Sequence, residues 1–225
     1  MIKFLKIEII FILFDYKRIL ASSERMKKDK NNRLSTFLTN CHRILSCYFY
    51  LSLELLAVKT YFFNRILTQM RRIYYVNAVK IADVKSKDKV LFIGSGILPS
   101  QCIIIAEETG ANVVGIDNSK KAVDLSNKYI NKIGLSDKIY IKHGDGTKFP
   151  TKDFDAVFIA INVWPINIVL KNLAKSLKKG TKVLCKSYDD DIPQVLINEK
   201  LNDVFEVKEK LVNHLTQSYL LIKKQ

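Results

Sequence analysis

The chain has 225 residues, 48% of them hydrophobic, which is enough for one substantial core or for one domain with a smaller cap, and too apolar for disorder to be the expectation. Its formal net charge is +15, concentrated in residues 1–89, where 18 Lys and Arg stand against 7 Asp and Glu. Such a basic front suits an anionic partner, but no RNA-binding signature accompanies it, and lysine-rich solvated helix faces account for the charge without one.

The first 14 residues are apolar but interrupted by Lys6 and Glu8. They are too broken for a spanning helix, which needs roughly 20 apolar residues, and they lack the small-residue cleavage site of a signal peptide. A surface-lying helix, an added strand or an over-extended start, with Met26 as an internal start, are the readings left open. Ala21 to Arg33 is polar and lysine-rich, so residues 1–33 read as an extension ending in a connection. From Leu34 to Tyr75 there is neither Gly nor Pro, and Leu38, Leu45, Tyr48, Leu51, Leu55, Val58 and Phe62 recur at helical spacing. This predicts one long helix or a helical pair, a cap over residues 34–79. Glu54 and Lys59 in its densest part favour burial in protein over contact with lipid.

The remainder, residues 80–225, alternates strand and helix. Val90 Leu91 Phe92 Ile93 reads as a strand buried on both faces, and Gly94 Ser95 Gly96 as a sharp turn leading into a helix at Gln101 to Glu108. Asn112 to Ile116 is a second strand ending at Asp117, and Lys120 to Ile133 an amphipathic helix with Asn118 and Ser119 available as caps and Gly134 as its stop. Ile139 to Lys142 is a third strand, followed by the turn His143 Gly144 Asp145 Gly146. Asp155 to Ala160 and Lys182 to Lys186 are the fourth and fifth strands, with a helix at Ile166 to Leu177 between them, and Phe205 to Val212 with Ser218 to Lys223 form a closing antiparallel pair. This is the α/β pattern with a mostly parallel sheet. Cys41, Cys47, Cys102 and Cys185 include no CxxC pair, and His42, His143 and His214 show no ligand spacing. Reduced thiols in a cytoplasmic protein and no metal site are the expectation.

The order of turns after Gly94 is what a nucleoside site requires. A glycine turn permits close approach, Asp117 at the next strand end can accept both ribose hydroxyl protons, and Asp145 after the third strand can address an adenine edge. A dinucleotide fingerprint wants GxGxxG, yet Pro99 stands at the third glycine position, where it lacks an N–H and adds bulk near a pyrophosphate. S-adenosylmethionine, which has no phosphates, fits better than NAD.

The run Phe92 Ile93 Gly94 Ser95 Gly96 Ile97 Leu98 Pro99 resembles the glycine turn of the nicotianamine synthases, a family within the class I S-adenosylmethionine-dependent methyltransferase fold. Tyr74 Tyr75 Val76 Asn77 is similar to that family's paired-tyrosine segment, with Ala78 where a further tyrosine is expected. Val157 Phe158 Ile159 Ala160 Ile161 Asn162 Val163 resembles its fourth strand and following loop, Cys185 Lys186 Ser187 Tyr188 the region after its fifth strand, with Lys186 where an arginine is common, and Gln217 Ser218 Tyr219 the start of its last strand. The resemblance covers residues 74–223, is thin over 47–73 and is absent over 1–33. It implies a Rossmann-like domain with a mostly parallel seven-stranded sheet under an N-terminal helical cap. It also implies transfer of the 3-amino-3-carboxypropyl group of S-adenosylmethionine to an amine or amino acid, with release of methylthioadenosine. Methyl transfer to a small molecule, or less readily to RNA, is the alternative.

Gly94, Ser95, Gly96, Asp117, Asn118, Asp145, Gly146 and Ala160 are then the expected cofactor-binding residues. Glu54, the one acid between Asp29 and Asp83, is the expected general base, and Tyr75 an expected catalytic partner that positions the substrate amine or closes the cap over the sheet. Arg65, Arg71 or Arg72 can meet a substrate carboxylate. The expected partner is a small-molecule amine or amino acid, with nucleic acid the weaker choice for the basic front and no membrane-spanning segment.

Overall fold

The computed structural model describes residues 61–187, 191–212 and 216–224, all within a compact unit spanning 51–225. Its elements in chain order are α1 (Tyr61–Ile81), β1 (Lys89–Ile93), α2 (Ser100–Thr109), β2 (Asn112–Asp117), α3 (Lys120–Lys132), β3 (Ile139–His143) and β4 (Ala156–Ile159). There follow α4 (Ile166–Ser176), β5 (Lys182–Ser187), α5 (Ile192–Asn198), β6 (Phe205–Val212) and β7 (Gln217–Lys223). The strands form one seven-stranded sheet in the order β3-β2-β1-β4-β5-β7-β6, parallel except that β7 runs antiparallel to both β5 and β6. The mostly parallel sheet and the closing pair are as the alternation predicts.

Each central strand is apolar on both faces because helices cover both. Val90 and Phe92 of β1 face a core made by α1, α2 and α3, together with Ala156 and Phe158 of β4 and Leu184 of β5. Leu91 and Ile93 face the opposite core with Val157, Ile159, Val183 and Cys185, covered by α4 and α5. Tyr75, Ala78 and Val79 place the inner side of α1 in the first of these cores, and α1 runs on to Ile81, past the expected boundary at 79/80. Residues 34–60 of the expected cap, and residues 1–33, lie outside the described residues.

Local chemistry explains the helix ends. Ser119 caps α3, its hydroxyl accepting from the Ala122 N–H, and Gly110 closes α2 in the left-handed conformation with φ 72°. The helix α5 escapes the sequence reading because it is only seven residues long, although Pro193 in its first turn is the start signal. At the β3 edge Asn127 takes the place of a neighbouring strand: its side-chain amide donates to the Ile141 carbonyl at 2.7 Å and its carbonyl accepts from the Ile141 N–H at 3.0 Å. The opposite edge, β6, carries Glu206, Lys208, Glu209 and Lys210, charges that discourage pairing with another chain.

Candidate functional site

Strand register sets the site. Ile93 pairs with Ile116 and Ile159, Ile159 pairs with Cys185, and Lys186 pairs with Ser218. One residue further along, Asp117, Gly94, Ala160, Lys186 and Ser218 therefore form a single row across the carboxyl edge of β2, β1, β4, β5 and β7. His143 of β3 extends it, opposite Asp117. This edge is where open α/β sheets bind ligands.

The glycine turn is tied to β2 by its own backbone. The N–H groups of Gly94 and Ser95 both donate to the Ile116 carbonyl, at 2.8 and 3.0 Å, and the Gly96 N–H donates to Asp117 Oδ2 at 2.8 Å. The other oxygen of Asp117 accepts from the Ser119 N–H at 2.9 Å. Asp117 thus binds the first turn to the second, as well as ending its strand. Both turn glycines are left-handed, with φ 85° at Gly94 and 69° at Gly96. At Gly94 the need is also steric: a Cβ would lie 2.7 Å from Val163 Cγ2 and 3.2 Å from Ala160 Cβ. The loop after β4 therefore packs directly over the turn, fixed by the Ala160 N–H to the Ile93 carbonyl at 3.0 Å.

Ser95 is buried, and its Oγ has no hydrogen-bond partner among the described residues. Its Cβ lies 3.1 Å from where a Gly115 side chain would begin, so the side chain sits on β2. At the third turn, the Asp145 carboxylate accepts from the Thr147 N–H at 2.9 Å and the Thr147 hydroxyl at 2.7 Å, and these bonds hold its pKa below the usual carboxylate range. Gly146 is required because a Cβ there would meet Ile93 Cγ2 at 2.6 Å, and its carbonyl is held by Asn172 of α4 at 3.0 Å. Asn118 is exposed, and its carbonyl accepts from His143 Nε2, which fixes the protonated nitrogen of that ring.

Tyr75 lies in the core under this row, 2% exposed, its ring 6.3 Å from that of Phe158. Burial raises its pKa well above the ordinary phenol value. The Lys186 ammonium stands 4.8 Å above the same ring. Arg71, one helical turn before Tyr75, donates to Ser100 Oγ at 3.2 Å at the start of α2. Arg72 points elsewhere, into an ion pair with Glu107 and Glu108 that ties α1 to α2, and Arg65 is exposed. Glu54 lies outside the described residues. Cys102 and Cys185 are buried and free, with burial pushing both thiols up, so neither is a ready nucleophile. Among the described residues no group of His, Cys, Asp and Glu could hold a metal ion, and no helix is long and apolar enough to cross a membrane.

Residues 90–180 match a family model described as a methyltransferase domain. The sheet order with one reversed strand beside its edge, and the ligand edge just described, lie within and around that segment. The fold is that of the S-adenosylmethionine-dependent methyltransferases. Solved structures of this methyltransferase fold include a glutamate-to-glutamine mutant of MtNAS, a nicotianamine synthase, in complex with S-adenosylmethionine. That similarity has a TM-score of 0.72 and 17% identity, and covers 90% of this chain and 82% of that one. An RNA methyltransferase from Salinibacter ruber with S-adenosyl-L-homocysteine has a TM-score of 0.56 at 19% identity, covering 68% of this chain and 92% of that one.

Among curated proteins, the sterol 24-C-methyltransferase erg6 of Aspergillus fumigatus is 31% identical over 123 residues, 49% of this chain and 32% of its own length. The L-histidine 2-aminobutanoyltransferase of Yersinia pestis is 25% identical over 109 residues, 48% of this chain and 40% of its own. The chain thus spans about a third of the length of the curated relatives it matches.

Proposed function

We propose that the protein is an S-adenosylmethionine-dependent transferase that moves the 3-amino-3-carboxypropyl group onto the amine of a small molecule or amino acid. The observation that carries the donor is the commitment of the glycine turn. The N–H groups of Gly94, Ser95 and Gly96 are all spent on β2, so the turn presents no fan of donors to a pyrophosphate. A nucleoside without phosphates suits it, and the matching methyltransferase-domain model agrees.

The chain's residues then take distinct tasks. Asp117, ionised and acceptor-only, receives the ribose hydroxyls while it holds the Gly96 turn. Asp145, anchored through one oxygen by Thr147, keeps the other for the exocyclic amine of adenine, and Gly146 lets the base lie close to Ile93. Asn118 lines the nucleoside beside them. Ala160, together with Gly94, leaves room at the centre of the row, and Ser95 supports the turn from beneath. When bound, the cofactor supplies a sulfonium whose three attached carbons are all electrophilic. Selection among them is a matter of alignment with the incoming amine, which is the task assigned to Tyr75. An amine must also lose a proton, and Glu54 is the base assigned to that step.

Support for aminocarboxypropyl transfer comes from the MtNAS likeness, which covers 90% of the chain where the RNA methyltransferase covers 68%, and from the aminobutanoyltransferase among the relatives. Methyl transfer is the second reading, favoured by the domain model and the sterol methyltransferase. Calorimetry tests the donor site: the wild type binds S-adenosylmethionine, and Asp117→Ala weakens it at least tenfold. Unchanged affinity in that variant removes Asp117 from the site. Glu54→Gln is expected to abolish turnover with binding intact, and near-normal turnover would return Glu54 to packing.

A further inference from the structure

We infer that the indole of Trp164 is the platform on which the acceptor lies, its face taking an organic amine and the carbon chain beside it. The inference rests on reading the row at the carboxyl edge as the S-adenosylmethionine pocket, and it holds whichever carbon of the sulfonium is transferred.

Position comes from the sheet order. Asp145 follows β3, Asp117 ends β2, Gly94 follows β1 and Ala160 follows β4, and these four strands are neighbours in that order. A nucleoside with its base at Asp145 and its ribose at Asp117 therefore runs toward β4, and Ala160 is about 10 Å from Asp117 at the usual strand spacing. Its sulfur end is directed at the loop after β4. Trp164 stands in that loop, next to Val163, whose Cγ2 is only 2.7 Å from where a Gly94 side chain would begin.

The loop holds the indole out on a fixed mount. On one flank the Ala160 N–H donates to the Ile93 carbonyl at 3.0 Å, and the Val163 N–H to the Ala160 carbonyl at 3.2 Å. On the other, Pro165 leads into α4, and its carbonyl accepts from the N–H of the buried Val169 at 3.2 Å. Between these anchors Trp164 is 74% exposed and joins neither core. A side chain of this size ordinarily dominates a core or an interface, so its exposure on a tethered loop beside the ligand edge suits it to contact a ligand. From Ala160 to Pro165 no residue is charged, so the loop offers no carboxylate to an incoming amine. The electron-rich indole face attracts the cation and covers its apolar chain instead.

Trp164 is the only tryptophan of the chain, so indole emission reports this position alone. Acrylamide quenching is followed in the wild type alone, with methylthioadenosine, and with methylthioadenosine plus a pool of short alkylamines and the standard L-amino acids other than tryptophan. The pool is expected to lower the quenching constant at least twofold. Trp164→Ala and Trp164→Phe are then compared with the wild type for turnover of S-adenosylmethionine over the same pool, for its binding by calorimetry, and for melting temperature. Trp164→Ala is expected to lose at least tenfold in rate at limiting pool, and to regain part of it at saturating pool. Its S-adenosylmethionine affinity and melting temperature stay unchanged, and Trp164→Phe recovers most of the lost rate. The inference is overturned if the pool leaves quenching unchanged, if Trp164→Ala turns over like the wild type, or if it weakens S-adenosylmethionine to the same degree as turnover. Emission that shifts with protein concentration and not with the pool makes this face an interface between copies, and overturns it too. A wild type that binds no nucleoside, or binds it without turnover, defeats the proposed activity instead, and quenching by the pool then decides the platform by itself.

Discussion

Burial brings the Lys186 ammonium down to about 8, and the charge of Arg71 adds to the shift. In the unfolded chain this group keeps its proton to near 10.5, so between about pH 8 and 10.5 the unfolded state binds more protons, and stability rises with pH across that window. Below pH 8 both states are protonated and the cost of burial is fully present, about 2–3 kcal/mol at 1.36 kcal/mol per pKa unit and some discount for solvent. Lys186→Met is therefore expected to melt several degrees higher than the wild type at pH 7 and to lose the rise between pH 8 and 10, as followed by thermal denaturation. A Lys186→Met protein less stable than the wild type at pH 7 contradicts this. Asp117 shows the opposite economy, since one carboxylate satisfies the N–H groups of Gly96 and Ser119 at once. Its place after the second strand is legible in the sequence. Its grip on the first turn is not, because that depends on the pairing of β1 with β2.

At the scale of elements, strand and helix identities follow from local pattern. The buried runs of β1 and β4, the Ser119 cap and the Gly110 and Gly134 stops each state their own structure over a few residues. What local pattern does not encode is which elements become neighbours. Arg72 illustrates this: the sequence offers it to a substrate carboxylate, while the packing of α1 on α2 gives it to Glu107 and Glu108. Those partners are partly exposed, so the bridge is worth at most about 1 kcal/mol and is screened by salt. Arg72→Met should lower the melting temperature by only a few degrees, less so at high salt, and leave the binding of S-adenosylmethionine unchanged in calorimetry. A tenfold loss of affinity would put Arg72 in the site after all.

Over the whole molecule, the sheet order β3-β2-β1-β4-β5-β7-β6 assembles the site. It carries residues far apart in the chain, from Gly94 to Ser218, into one row at one edge, a long-range register that no local pattern encodes. Glycine turns and strand-end acids recur in a fixed order along the chain. The contact of Lys186 on the fifth strand with the Tyr75 ring exists only once α1 folds over the sheet. The central claim is the identity of the group transferred, and the sulfur-containing product decides it. Incubation with S-adenosylmethionine and a pool of amino acids, followed by mass spectrometry, is expected to yield methylthioadenosine together with an amino acid enlarged by one aminocarboxypropyl unit. S-adenosylhomocysteine with a methylated acceptor would contradict that claim and leave the protein a methyltransferase in reaction as well as in fold.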